Sequence, residues 1–171
     1  MTSPPSTIPA APTVSHLLGE MTWLLAQSPI HRELSLGDLD WLVMPALLTE
    51  QFYMFRDGGR PVGLALWAST DAGGEAKLQG GMLAAENRLT LEEWTGGDRL
   101  WLVDLIAPFA TPENRHREVM IGDLVSGPLR GRAFQFHVTD PSGARSVRSF
   151  DADAGDRLAD LVKTAMATGK R

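Results

Sequence analysis

"GDRLWLVDLIAPF", residues 97–109, decides how the rest of this chain is read. From Leu100 to Ile106 it holds six apolar residues and one carboxylate, Asp104. The run is too short for a typical helix and is bounded by "GGD" before it and by Pro108 after it, so it reads as a strand apolar on both faces. Such a strand lies inside a sheet that is covered on both sides. The fold class that follows is α+β, a single domain with a central, mostly antiparallel sheet and flanking helices. Asp104 is the anomaly, because a charge among apolar neighbours is costly unless something pairs with it. Strand alternation places it with Leu102 and Ile106 on one face. Asp98 and Arg99 shape the turn that enters the strand.

Upstream, residues 1–13 contain four prolines and no charged side chain, the composition of a disordered tail, which leaves 14–168 as the domain. Leu17, Leu18, Met21, Leu24 and Leu25 recur at three- and four-residue steps, giving a helix with Ser15 as N-cap and Pro29 as its stop. A second helix is expected from Ser35 to about Leu48, bent or ended by Pro45. "QFYMF" and "PVGLALWAS" flank "RDGGR" and form a hairpin. Residues 70–97 are polar and glycine-bearing, with a short strand near "KLQGGML" and a helical turn in "LTLEEWT". Beyond the central strand a helix is expected over Pro112–Val125. "RAFQFHVT" and "ARSVRSF" make a second hairpin around "DPSG". "AGDRLADLVKTAMATG" closes the chain as an amphipathic helix capped by Gly169.

Composition narrows the function classes. At 171 residues with 43% hydrophobic and 22% charged content, the chain can bury a core without staples. It has no cysteine, which removes disulfides, thiolate metal sites and cysteine nucleophiles together. A net charge of −5 argues against nucleic acid as partner. Charge is nonetheless uneven. Arg115, Arg117, Arg130, Arg132, Arg145 and Arg148 face only Glu118, Asp123 and Asp140 over that span, a local balance of +3 (6 − 3). This is either a solvated face or a docking patch for an acidic partner. No stretch reaches the ~18–20 apolar residues that span a bilayer, so no stable membrane insertion is expected. The start lacks the basic region of a signal peptide, and a cytoplasmic location is expected.

His31, in "SPIHR", follows a helix-ending proline, and an imidazole can take or give a proton near neutral pH. A lone histidine is more often a surface or capping residue, and the residues alone leave both readings open. Asp104 is either a structural carboxylate or the partner that fixes the tautomer of His31. None of His16, His31, His116 and His137 has metal-ligand spacing, so no metal is expected. Gly-x-Ser-x-Gly, Walker and Gly-x-Gly-x-x-Gly motifs are absent. No glycine-rich turn follows the central strand to cradle a coenzyme's pyrophosphate.

"WLLAQSPIHR", "LVMPAL", "QFYMFRDGGRPVGLALWAS" and "LEEWTGGDRLWLVDLIAPF", in this order, resemble the RTX-toxin-activating lysine acyltransferases of the hemolysin C type. The resemblance runs from about Leu17 to Phe109 and thins to an arginine-bearing hairpin ending "SVRSF". It implies a fold similar to the GCN5-related N-acetyltransferases. It also implies an enzyme that moves a fatty acyl group from acyl carrier protein to lysine ε-amino groups of an RTX protoxin, with no bound cofactor. The catalytic pair implied is His31 and Asp104. Ser28 matches the serine of the histidine motif and is a candidate oxyanion donor, while Arg32, Arg115 and Arg117 are candidates for contacts to carrier or substrate. A homodimer is left open, as is a covalent acyl-histidine step. The chain departs from the family at Leu42, where an asparagine is typical, and at Leu105, where tryptophan is common. Two rival readings remain: a non-catalytic binder of toxin or acyl chain, and a coenzyme A-dependent acetyltransferase.

Overall fold

The computed structural model describes residues 11–140 and 142–168, with side chains described as far as Leu161. The expected disordered tail lies outside the described residues up to position 10, as does the expected Gly169 cap. Helix α1 spans Val14–Gln27. Its N-cap is Thr13 and not Ser15: the Thr13 hydroxyl accepts the His16 N–H at 3.2 Å. Thr13 is the last extended residue, and a hydroxyl caps only from that position. The single helix expected over 35–48 is instead three pieces. A 3-10 turn (Leu36–Asp38) leads into α2 (Leu39–Leu42) and α3 (Met44–Leu48). Pro45 has no N–H to continue the ladder, so the axis breaks just before it.

Strands β1 (Phe52–Asp57) and β2 (Arg60–Thr70) form the first hairpin. Its two-residue loop, Gly58 and Gly59, has φ of 53° and 86°, the left-handed conformations that a tight hairpin turn of this hand requires. The strand expected near "KLQGGML" is a correction: these residues belong to α4 (Ala72–Gly80) and the turn after it. Asp71 starts this helix by accepting the Gly74 N–H at 2.9 Å, and Glu75 and Leu78 turn inward. Gly73 and Gly74 mask the pattern because glycine disfavours helix, yet a Cβ at Gly74 would collide with Thr70. A short α5 (Leu91–Trp94) carries a Thr90–Glu93 capping box.

Next come β3 (Arg99–Ile106), α6 (His116–Ser126), β4 (Phe134–Thr139), β5 (Arg145–Phe150) and α7 (Ala154–Thr168). Helix α6 starts four residues after Pro112, later than expected. Asn114 Oδ1 accepts the Thr111 N–H (2.9 Å) and the His116 N–H (3.0 Å), and Arg115 sits at φ 50°, so the chain turns before it coils.

The sheet order is β1-β2-β3-β4-β5, with β3 in the middle as its two apolar faces require. All neighbours are antiparallel except β3 and β4, which run parallel, so the sheet is mixed. One core, with Leu64, Leu66 and Trp101, lies under α1 and α3; the other, with Ala65, Trp67 and Leu102, lies under α6. Two irregularities of β3 position the candidate residues. Leu66 pairs with Asp104 and Trp67 with Leu102, which leaves Val103 as a bulge. The bulge reverses the alternation: Asp104 and Ile106 share the face of Leu64 and Leu66, while Leu102 lies on the opposite one. Moreover, β3 pairs with β4 only at Trp101–Gln135 and Leu102–Phe136, and no further pairing joins the two strands.

Candidate active site

Where α1 ends, the chain builds a small fixed turn. Ser28 is the C-cap, Pro29 cannot continue the helix, and the Ser28 carbonyl accepts the N–H of both His31 (3.1 Å) and Arg32 (3.0 Å). This turn aims the His31 ring at β3. His31 Nε2 lies 2.8 Å from Asp104 Oδ2, across 73 residues of sequence. On the other side of the ring, Nδ1 lies 2.7 Å from Ser28 Oγ. An ionised carboxylate only accepts, so with Asp104 ionised Nε2 carries the proton. Nδ1 is then the acceptor, and the Ser28 hydroxyl donates to it. The result is a Ser28–His31–Asp104 chain with both ring nitrogens engaged.

The pair is not sealed in the core. Side-chain exposure is 13% for His31 and 26% for Asp104, so the carboxylate meets both its partner and the solvent. Both line a cleft of about 1180 Å³ that opens where β3 and β4 cease to pair. Trp41, Leu78, Trp101 and His137 form the cleft wall on this face of the sheet. Trp41 is held by its Nε1–H on Asp38 (2.9 Å) and by the Arg88 guanidinium, 4.4 Å above the ring. His137 packs edge-on to Trp101 and bonds the Leu78 carbonyl at 2.7 Å. Trp41, Leu78 and His137 escaped the sequence reading: each looks like ordinary core or strand, and only the parting of β3 and β4 makes them a wall. Leu42 is buried there too, so the departure from asparagine replaces a polar group by an apolar one.

The other expected residues fare unevenly. Ser28 is only 5% exposed, and its hydroxyl is bonded to His31. Arg117 lines the cleft, whereas Arg115 and Arg32 do not. Arg115 pairs with Glu118 at 3.8 Å and Arg32 with Glu33 at 3.8 Å, both on the surface. The arginines of this segment make separate contacts. Arg130 pairs with Asp156 at 2.6 Å, and Arg132 reaches Ser69 at 3.1 Å. Arg145, like Arg117, faces the cleft. Among the described residues no cluster of His, Asp and Glu could hold a metal.

Comparison with known proteins gives the family of the chain. Residues 10–150 match the model of the RTX toxin acyltransferase family (HlyC). The chain belongs to this family. Its relatives in the family include the leukotoxin-activating lysine-acyltransferase LktC serotype A11 of Mannheimia haemolytica, 42% identical over 94 residues, or 55% of this chain and 54% of the relative. The RTX-II toxin-activating lysine-acyltransferase ApxIIC of Actinobacillus pleuropneumoniae is 36% identical over 55% of this chain and 56% of its own. LktC of a Pasteurella haemolytica-like species is 34% identical over 113 residues, 66% of this chain and 63% of the relative. In these alignments the chain spans little more than half the length of the curated relatives it matches. Among the described residues no helix is long and apolar enough to cross a membrane.

Proposed function

We propose that the chain is a lysine acyltransferase of the cytoplasm. It takes a fatty acyl group from acyl carrier protein and places it on internal lysines of an RTX protoxin. The observation that carries this reading is the His31–Asp104 bond of 2.8 Å on the wall of an apolar cleft. Family membership and the names of the relatives support the acyl and lysine halves of the reaction. The domain is taken as 14–168, similar in layout to the GCN5-related N-acetyltransferases, with the parallel β3–β4 pair that parts over the cleft in support. Removing residues 1–10 should then leave transfer rates unchanged.

The chemistry follows from the hydrogen bonds. A lysine ammonium is inert as a nucleophile and must lose a proton, which costs several kcal/mol at neutral pH. Ser28 Oγ takes that proton as its own hydroxyl proton passes to His31 Nδ1, which it already bonds at 2.7 Å. The Ser28 hydroxyl, able both to donate and to accept, turns to accept from the new N–H. Asp104 stabilises the imidazolium that results and keeps the ring in one orientation. The free amine attacks the thioester carbonyl, the C–N bond forms and the C–S bond breaks. The departing thiolate takes the proton back from His31, and the second proton lost by the attacking nitrogen leaves to solvent. An acyl-histidine would have to break one of the two ring hydrogen bonds, so direct transfer fits this geometry better.

Intact mass spectrometry of a candidate RTX substrate, incubated with this protein and acylated carrier protein, tests the proposal. A mass increase equal to the acyl group, lost in His31→Ala, is expected. No increase with any chain length would favour a binding protein without turnover.

A further inference from the structure

The lip of the cleft on the His31 side carries apolar surface that the core does not take up. Two connections build it, one from the end of α1 into α2 and one between α4 and α5. Ile30 in the first and Leu83 in the second both line the cleft, and each is 75% exposed. Leu34 and Trp41, only partly buried, continue the same lining. The two connections are tied to each other: Asp38 meets Arg88 at 3.5 Å, and the Arg88 guanidinium covers the Trp41 ring at 4.4 Å. The lip is therefore one surface. Large aliphatic side chains left in water beside a cleft mark a place that another molecule covers.

Charge says what kind of molecule. Residues 28–42 and 81–90 hold Glu33, Asp38, Asp40 and Glu86 against Arg32 and Arg88, a balance of −2 (2 − 4) with His31 neutral. Arg32 is taken by Glu33 and Arg88 by Asp38. Asp40 and Glu86, both exposed, are left with no cation among the described residues. The cations that line the cleft, Arg117, Arg145 and Arg157, come from α6, β5 and α7. The cleft is thus acidic along the His31 lip and basic across from it.

We propose that this lip is the docking surface for the target segment of the protein substrate, a stretch whose lysine is flanked by aliphatic residues and has no acidic neighbour. The assignment rests on the lysine-acyl-transfer reading for the reaction and on the lip for the chemistry of the segment. Ile30 and Leu83 take the aliphatic side chains, which leave water as they settle. Ile30 adjoins His31 in sequence, so a chain seated on it comes to lie beside His31. Asp40 and Glu86 favour the approach of a cation. The same charges repel an acidic carrier, for which the arginines across the cleft are the complement.

Fluorescence anisotropy of short labelled peptides with the full chain tests this. Each peptide holds one lysine, flanked by leucines, by serines or by aspartates. The leucine-flanked peptide should bind about tenfold more tightly than the serine-flanked one, and the aspartate-flanked one more weakly than both. Ile30→Ser and Leu83→Ser should each weaken the leucine-flanked peptide about tenfold and leave the serine-flanked one within about twofold. Asp40→Lys combined with Glu86→Lys should weaken it about fivefold at low salt and far less at high salt. Leu48→Ser, at an exposed apolar residue that does not line the cleft, should change neither peptide. Circular dichroism reports whether each variant is folded. With the candidate RTX substrate, Ile30→Ser and Leu83→Ser should raise KM and leave kcat near the wild-type value.

No binding, equal binding of the three peptides, or wild-type binding by Ile30→Ser and Leu83→Ser overturns the assignment. So does a loss confined to acyl carrier protein, or a change of oligomeric state with peptide binding intact. The two readings fail separately. A wild type that binds the leucine-flanked peptide as stated yet acylates no lysine keeps the surface and removes the transfer. An active wild type whose KM for the protein substrate is unmoved by Ile30→Ser and Leu83→Ser does the reverse.

Discussion

Replacing His31 by Ala removes the proton acceptor and leaves Asp104 unpaired beside the cleft. Transfer should fall by about 10²–10⁴-fold, the usual worth of a positioned base, with little loss of stability. Residual turnover near the wild-type rate would remove its role. Asp104→Asn keeps the shape and changes the charge. Its amide can donate to the ring and favour the wrong tautomer, and a rate loss of similar size is expected in single-turnover assays. Ser28→Ala deletes one hydrogen bond, about 1–1.5 kcal/mol, so about a tenfold slowing is expected in the same assay. His31 and Ser28 were singled out by the motif they share with the family, while the hydrogen bond between them was seen only in the structure. The pair of His31 with Asp104 came from the family resemblance, since nothing local links residues 31 and 104.

At the scale of elements, α1 leads into the turn that bears His31 and must be held to the sheet. Glu20 on its outer face forms a bidentate pair with Arg56 of β1, at 2.8 and 2.5 Å. The hydrogen bond from Arg56, with its charge, holds the Glu20 carboxyl below its ordinary value of 4.5. A carboxyl lowered on folding adds stability above its unfolded pKa and loses it as pH falls through the folded one. The pair should therefore contribute at neutral pH and fade as the pH drops below about 4.5. The pair is near the surface, so Glu20→Gln should cost at most about 1 kcal/mol. Urea midpoints of wild type and variant should differ more at pH 7 than at pH 3. Most elements were readable from period and turn chemistry, including both hairpins and the central strand. Helix α4 was not, because Gly73 and Gly74 look like breakers while their lack of a side chain lets the helix start against Thr70.

Across the whole molecule, two cores share one sheet, and Trp101 stands where they meet the cleft. It is 1% exposed and packs on His137. Trp101→Ala should cost about 3–5 kcal/mol and also open the cleft, read as a lowered Tm together with lost transfer. Charge acts on the same scale. Arg117→Glu should weaken carrier binding with a steep salt dependence, while Arg115→Glu, which breaks only a surface pair, should matter less. Equal effects of the two, measured by titration at two ionic strengths, would argue for a diffuse patch.

By itself, the sequence determined the α+β class, the central place of β3, the proline-stopped turn that carries His31, and the need of Asp104 for a partner. Those follow from local rules: side-chain period, backbone limits of proline and glycine, and the cost of an uncompensated charge. Tertiary structure decided which face Asp104 takes, because a bulge at Val103 depends on the partner strand. It also decided that β3 and β4 part, which turns residues that look like core into the walls of a cleft. Neither can be read from one segment, since each is a property of two strands meeting.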